Sequence, residues 1–188
     1  KEFVAEFSSS APAMGVREHK DSKLIEPAIP GMILTIDKGS FTGNAGTDIS
    51  FHRLYAPNSP HTTTKAVRDC KSCHSNSMAL GYGNGTLSYK IINQTGVWDF
   101  HPEYDVNVND GLPEDAWIPF LENVDSSIIN STRTDFRPFN LNEQKRMLLV
   151  GACLECHRDH SKVMQETLAK GLNPVLKHIT ESCILPSY

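Results

Sequence analysis

The chain has no run of about 18 apolar residues, the length a helix needs to cross a bilayer. Its longest oily stretch, Ile25 to Ile36, is broken by Glu26, Pro27, Pro30 and Gly31. A membrane span is therefore not expected. No basic stripe or basic nucleic-acid motif is present, and the formal charge of -4 has the wrong sign for a polyanionic partner, so no nucleic-acid role is expected. There is no serine nucleophile elbow and no phosphate loop. The start holds neither an initiator Met nor a positive segment leading into an apolar signal core. The chain opens on Lys1 and reads as a mature exported form. What remains is 188 residues with a hydrophobic fraction of 39%, enough for one domain with a real core.

Cysteine is scarce as well, but its placement is informative. Four of the five cysteines fall in two copies of one string, Cys70-Lys71-Ser72-Cys73-His74 and Cys153-Leu154-Glu155-Cys156-His157. C-x-x-C-H reads as a haem c attachment site. Two thiols about one helical turn apart can reach the two vinyl groups of one porphyrin, and the adjacent His can turn its ring onto the iron. Two such pairs could instead build one four-thiolate zinc site, which would make both histidines coincidental. A redox dithiol needs only one pair. A disulfide framework leaves the fifth cysteine, Cys183, unexplained. Cys183 reads as a small buried apolar residue, with an intermolecular bond as the alternative.

On these two strings and on its eight histidines the chain resembles the multihaem c-type cytochromes, over the neighbourhoods 52–80 and 140–183. The resemblance implies two covalent haem c groups bound by Cys70, Cys73, Cys153 and Cys156, with His74 and His157 on the irons. It implies an electron carrier rather than an enzyme, located in the periplasm or at the extracellular surface. Haem is attached to cysteines outside the cytoplasm in bacteria and archaea. Redox proteins are the implied partners. Self-association, a larger redox complex or an extracellular haem-bearing polymer is a further expectation. The alternative is a dihaem enzyme, a peroxidase or a small-oxyanion reductase, with one open iron. Two haems in 188 residues is sparse for that family, so the extra polypeptide is expected to have its own task, such as a partner interface.

Two six-coordinate irons need two further ligands. His61, nine residues before Cys70, is the first candidate, since in multihaem cytochromes a distal His often stands upstream of an attachment string. His160 lies too close to His157 to reach the opposite face of the same haem, because a helical turn is only about 5.4 Å, but it could reach a neighbouring one. His178, among Val175, Leu176 and Ile179, and His52, beside Phe51, complete the set of metal-ligand candidates. His101 and His19 are weaker, and Met78, Met147 and Met164 are the sulfur alternatives. The abundance of histidine favours bis-His ligation, which lowers the potential relative to Met.

The expected fold is mixed and mostly irregular, with short helices around two covalent haems and some β-strand in the N-terminal half. One domain is expected over 1–188, with a long insertion at about 84–140. Residues 1–23 read as an arm or loop. Met32 to Ile36 and Ile49 to Tyr55 read as strands joined by turns at Asp37-Lys38-Gly39 and Thr42 to Gly46. One of Thr62, Thr63 and Thr64 is expected to cap a helix into Cys70. Residues 86–98 read as a strand pair, and 99–140 as an irregular but aromatic-rich stretch. The best helix spans 142–152, opened by Asn140 and Glu143 as a capping box and delivering Cys153. A second helix runs from Ser161 or Lys162 to Lys170 with Gly171 after it, and a last one starts at Pro174 and carries His178.

Overall fold

The computed structural model describes residues 12–59 and 68–188. The capped helix expected from Thr62, Thr63 or Thr64 and the candidate His61 lie outside the described residues. The fold is mixed, with a β-rich N-terminal region followed by short helices. Strands β1 (Ala13–Glu18), β2 (Lys23–Asp37) and β3 (Ile49–Pro57) form an antiparallel meander. Two short strands, β6 (Ile129–Ser131) and β7 (Phe136–Arg137), close it on either side, giving the order β6-β3-β2-β1-β7. Between them in sequence, β4 (Gly85–Ile92) and β5 (Thr95–Pro102) make a separate hairpin. Its turn residues Asn93 and Gln94 both have positive φ, as a two-residue hairpin turn requires.

The expected strands at 32–36 and 49–55 are the C-terminal part of β2 and most of β3, and both strands run longer than their sequence signal. The arm expected over 1–23 is corrected: Ala13–Glu18 is a strand, paired residue for residue with Lys23–Ala28. Its segment Ala-Met-Gly-Val-Arg-Glu has no clean alternation because Gly15 sits where the ring of Phe136 lies on the strand. A Cβ there would come within 2.4 Å of Phe136 Cζ.

Among the described residues the α-helices are α1 (Lys71–His74) and α2 (Ser77–Leu80), between β3 and β4, and α3 (Leu141–Cys156), α4 (Lys162–Lys170) and α5 (Leu172–Leu176) after β7. The capping box of α3 is present. The Asn140 side chain accepts from the Glu143 N–H at 3.0 Å, and the Glu143 carboxylate accepts from the Asn140 N–H at 2.9 Å. α3 runs one turn further than expected, so Cys153 and Cys156 both lie within its last turn. The last helix begins at Leu172, not at Pro174, and ends before His178, which lies outside it.

The core joins the sheet to the irregular stretch. Tyr55, Trp117 and Phe136 stack with ring centroids 4.6 and 5.5 Å apart, and all three are buried. Trp98 of β5 donates through Nε1 to the Leu148 carbonyl at 3.1 Å, which pins the hairpin to α3. The buried Gln144 of α3 accepts from Tyr82 Oη at 3.1 Å and from the Leu121 N–H at 3.0 Å, so its burial leaves its oxygen satisfied. Phe100 and Phe120 pack on Tyr82, while Tyr104 is exposed. Arg53, fully buried, meets Asp110 through two nitrogens, at 2.6 and 3.0 Å, and also donates to the carbonyls of Leu112, Pro113, Glu114 and Ala116. It ties the 110–116 stretch to β3. Among the described residues no helix is long and apolar enough to cross a membrane.

Candidate haem-attachment site

The fold packs the two C-x-x-C-H strings against each other. α1 is the first string itself. The Asp69 carboxylate accepts from the Ser72 N–H at 2.7 Å and so caps its opening turn. The second string ends α3, and the two helices touch at Gly151, where a Cβ would lie 2.4 Å from the His74 carbonyl oxygen. Only glycine permits this approach of backbone to backbone. Two further contacts join the strings. Lys71 pairs with Glu155 at 2.8 Å, and the Cys70 N–H donates to Asp159 Oδ2 at 2.9 Å. The ion pair is partly exposed, so its strength is of the order of 0–1 kcal/mol, and its value is in orientation.

The ring of His74 is half-buried, with Nδ1 3.1 Å from the Met147 carbonyl oxygen. A carbonyl can only accept, so Nδ1 carries the proton and Nε2 keeps its lone pair. Burial pushes the His74 pKa down, only partly opposed by that hydrogen bond, and the ring stays neutral. This is the tautomer a metal-ligating histidine uses, with a carbonyl holding the ring from behind. His74 opens onto an apolar cleft of about 310 Å³ lined by Val16, Ile25, Phe139, Met147, Val150 and Leu172, with Lys23, Glu143 and Arg146 also on its wall.

A second cleft, of about 410 Å³, gathers Cys153, His157, His178 and Cys183 around Val163, Leu172, Val175 and Ile179. The helical pair α4–α5 forms one wall and the end of α3 the other. His157 sits just past the end of α3 in extended conformation, with its backbone N–H on the Cys153 carbonyl. Cys156, one helical turn from Cys153, faces a groove on the other side of His157, together with His160 and Asp159. Burial raises the Cys153 and Cys70 thiols, and in Cys70 the carboxylate of Asp159 adds to the effect. All five cysteines are free.

The candidates therefore divide. His178 shares a cleft with His157, and His160 lies at the exposed groove beside it. His52 lies half-buried on β3, and His101 is exposed and paired with Asp99. Of the sulfur candidates, Met147 lines the His74 cleft, Met164 is buried in α4 and Met78 is partly buried against the core. Among the described residues no three of His, Cys, Asp and Glu are gathered to hold a metal ion, so the four string cysteines do not converge as a zinc site requires. Each string sets two free thiols at helical spacing before a histidine that opens onto a cleft; Cys153 lines the His157 cleft, whereas Cys70, Cys73 and Cys156 line neither of the two.

Several participants were not singled out by motif. The Met147 carbonyl, Asp159 and Leu172 carry no local signal. The opposite charges at the variable positions of the two strings, Lys71 and Glu155, were available as one. Comparison with family models, with curated proteins and with solved structures finds no match to this chain.

Proposed function

We propose that the chain is a dihaem c-type cytochrome that transfers electrons between redox partner proteins. The observation that carries this reading is the side-by-side packing of the two attachment strings, each with a histidine facing its own apolar cleft. When bound, each haem supplies a one-electron couple. Cys70 and Cys73 would hold one group, with His74, oriented by the Met147 carbonyl, as an iron ligand. Cys153 and Cys156 would hold the other, with His157 as an iron ligand and His178, which lines the same cleft, as the candidate second ligand. Attachment at cysteines places the protein in the periplasm or at the cell surface.

Intact mass tests the reading. The holoprotein is expected to exceed the 20.9 kDa polypeptide by two haem groups that acid-acetone does not strip. A colourless, zinc-loaded chain would overturn it. His178→Ala is expected to turn one haem high-spin and open it to carbon monoxide, while the other keeps its spectrum.

A second reading, a haem-bearing subunit of a larger redox complex or polymer, is favoured by one surface. β6 pairs with Arg53–Tyr55, opposite Pro30–Ile33, so beyond Ile33 the β2–β3 ribbon has only its own two strands, and the ribbon exposes Ile29, Met32, Ile33 and Ile49. A two-stranded ribbon is marginal in water without cover. Native mass separates monomer from assembly.

A further inference from the structure

The last residues of the chain are strapped to the body of the protein. Tyr89 Oη of β4 donates to the Ile184 carbonyl at 2.8 Å, and the Ser187 N–H donates to the Gly96 carbonyl at 3.0 Å. Tyr188 Oη donates to the Lys145 carbonyl, in the first half of α3, at 3.0 Å. The tail therefore runs back along α3. From Tyr188 to Cys183 an extended chain reaches at most about 18 Å, and from Lys145 to Cys153 a helix rises about 12 Å, so the tail is long enough to bring Cys183 level with Cys153. The two thiols, both half-buried, line one cleft. When ionised, Cys183 pushes the Cys153 thiol up, so the two lie within each other's field. Cys156, one turn further along α3, is exposed and lines a different groove.

We propose that Cys153 and Cys183 form a reversible intrachain disulfide in the polypeptide before any group is attached to Cys153. The bond goes beyond the dihaem reading and does not rest on it. Its oxidant is a low-molecular-weight disulfide. One protein thiolate attacks that reagent, forms a mixed disulfide and expels one small thiol. The other protein thiolate then attacks the protein sulfur of the mixed disulfide and expels the second. Two protons and two electrons leave the cysteines, and the small disulfide becomes two thiols. A disulfide needs its Cα atoms about 4.4–6.8 Å apart. Residues 177–182, ahead of Cys183, are exposed, so Cys183 can close onto α3 without unpacking a core side chain. Closed, the bond staples the tail to the end of α3, holds α4 and α5 in one loop and withdraws Cys153 from the second string. Reduction returns it. The odd cysteine thus gains a partner inside the chain, where the sequence alone offered burial or a bond to another molecule.

The test uses the full-length polypeptide, produced without haem, reduced, freed of reductant and incubated with oxidised glutathione. Remaining thiols are alkylated, and the pairs are read by peptide mass mapping. In the folded chain the Cys153–Cys183 pair is expected to predominate over Cys153–Cys156, and dithiothreitol is expected to return both thiols. In urea the preference for Cys183 is expected to be lost, since only the fold brings it to α3. Cys156→Ser is expected to keep the pair, and Cys183→Ser to leave Cys153 open to alkylation. If Cys183→Ser does not fold, the map of the native chain decides by itself. A folded chain in which Cys183 stays free, or pairs only between molecules, would overturn the proposal. So would the same mixture of pairs with and without urea.

Discussion

Arg53 and Asp110 form a salt bridge in which the guanidinium is fully buried and the carboxylate is 5% exposed. Asp110→Ala would leave that charge buried without a counterion, and is expected to destabilise the fold by about 3–5 kcal/mol in urea titration. An apolar pair of similar volume is not expected to restore the loss, because Arg53 also satisfies four carbonyls of the 112–116 stretch. Gly151 is the other position where one atom decides. Gly151→Ala places a methyl against the His74 carbonyl, and backbone cannot retreat as a flexible side chain can. A loss of about 1–3 kcal/mol is expected. It should come with separation of the two strings, read as a change in Trp98 fluorescence, since that indole also touches the site. A variant as stable as the native chain would show that α1 is not held there.

At the scale of elements, α3 was the most legible part of the sequence. Asn140 and Glu143 formed a local signature three residues apart, and the local signature was sufficient. Asn140→Ala is expected to cost about 1 kcal/mol in thermal or urea unfolding. Glu143 does more than complete the cap. Burial alone would raise its carboxyl, but the two hydrogen bonds from Arg137 and that from the Asn140 N–H outweigh burial and hold it below the ordinary 4.5. A depressed carboxyl contributes stability that is present above 4.5 and is lost as pH falls through the folded value. Glu143→Gln is therefore expected to lower stability at neutral pH and to flatten the fall in acid. Parallel acid limbs for the two proteins would show that Glu143 does not drive the loss. By contrast, β1 was illegible. Its strand character depends on pairing with β2 and on Phe136 from β7, over a hundred residues away, and its own six residues carry no period. His178 was legible as a candidate, but its shared cleft was not, because α5 starts two residues earlier than Pro174 suggests. The two C-x-x-C-H strings were plain in the sequence, whereas the contacts that bring them together were not. Asp159 and Leu172 are ordinary residues until the chain has folded.

For the whole molecule, the parallel pairing of β3 with β6 governs the order of assembly. β3 ends at Pro57 and β6 begins at Ile129, so the first string and the β4–β5 hairpin lie in a loop that closes only when the sheet does. The entropy of closing such a loop must be met before its contacts return anything, and folding dominated by distant pairings is slow. Trp117 reports on the sheet and Trp98 on α3, and in refolding of the polypeptide both are expected to change in one slow phase. Two separated phases would mean that the halves form independently. The same connectivity bears on synthesis from the N-terminus. Met147, Gly151 and Asp159, which hold the first string in place, emerge only after a further seventy residues and more. Until then Cys70 and Cys73 have no folded surroundings. The first thiol pair thus stays open to modification during elongation, while Cys153 of the second is flanked by α4 and α5 almost as soon as it appears, with Cys156 left exposed.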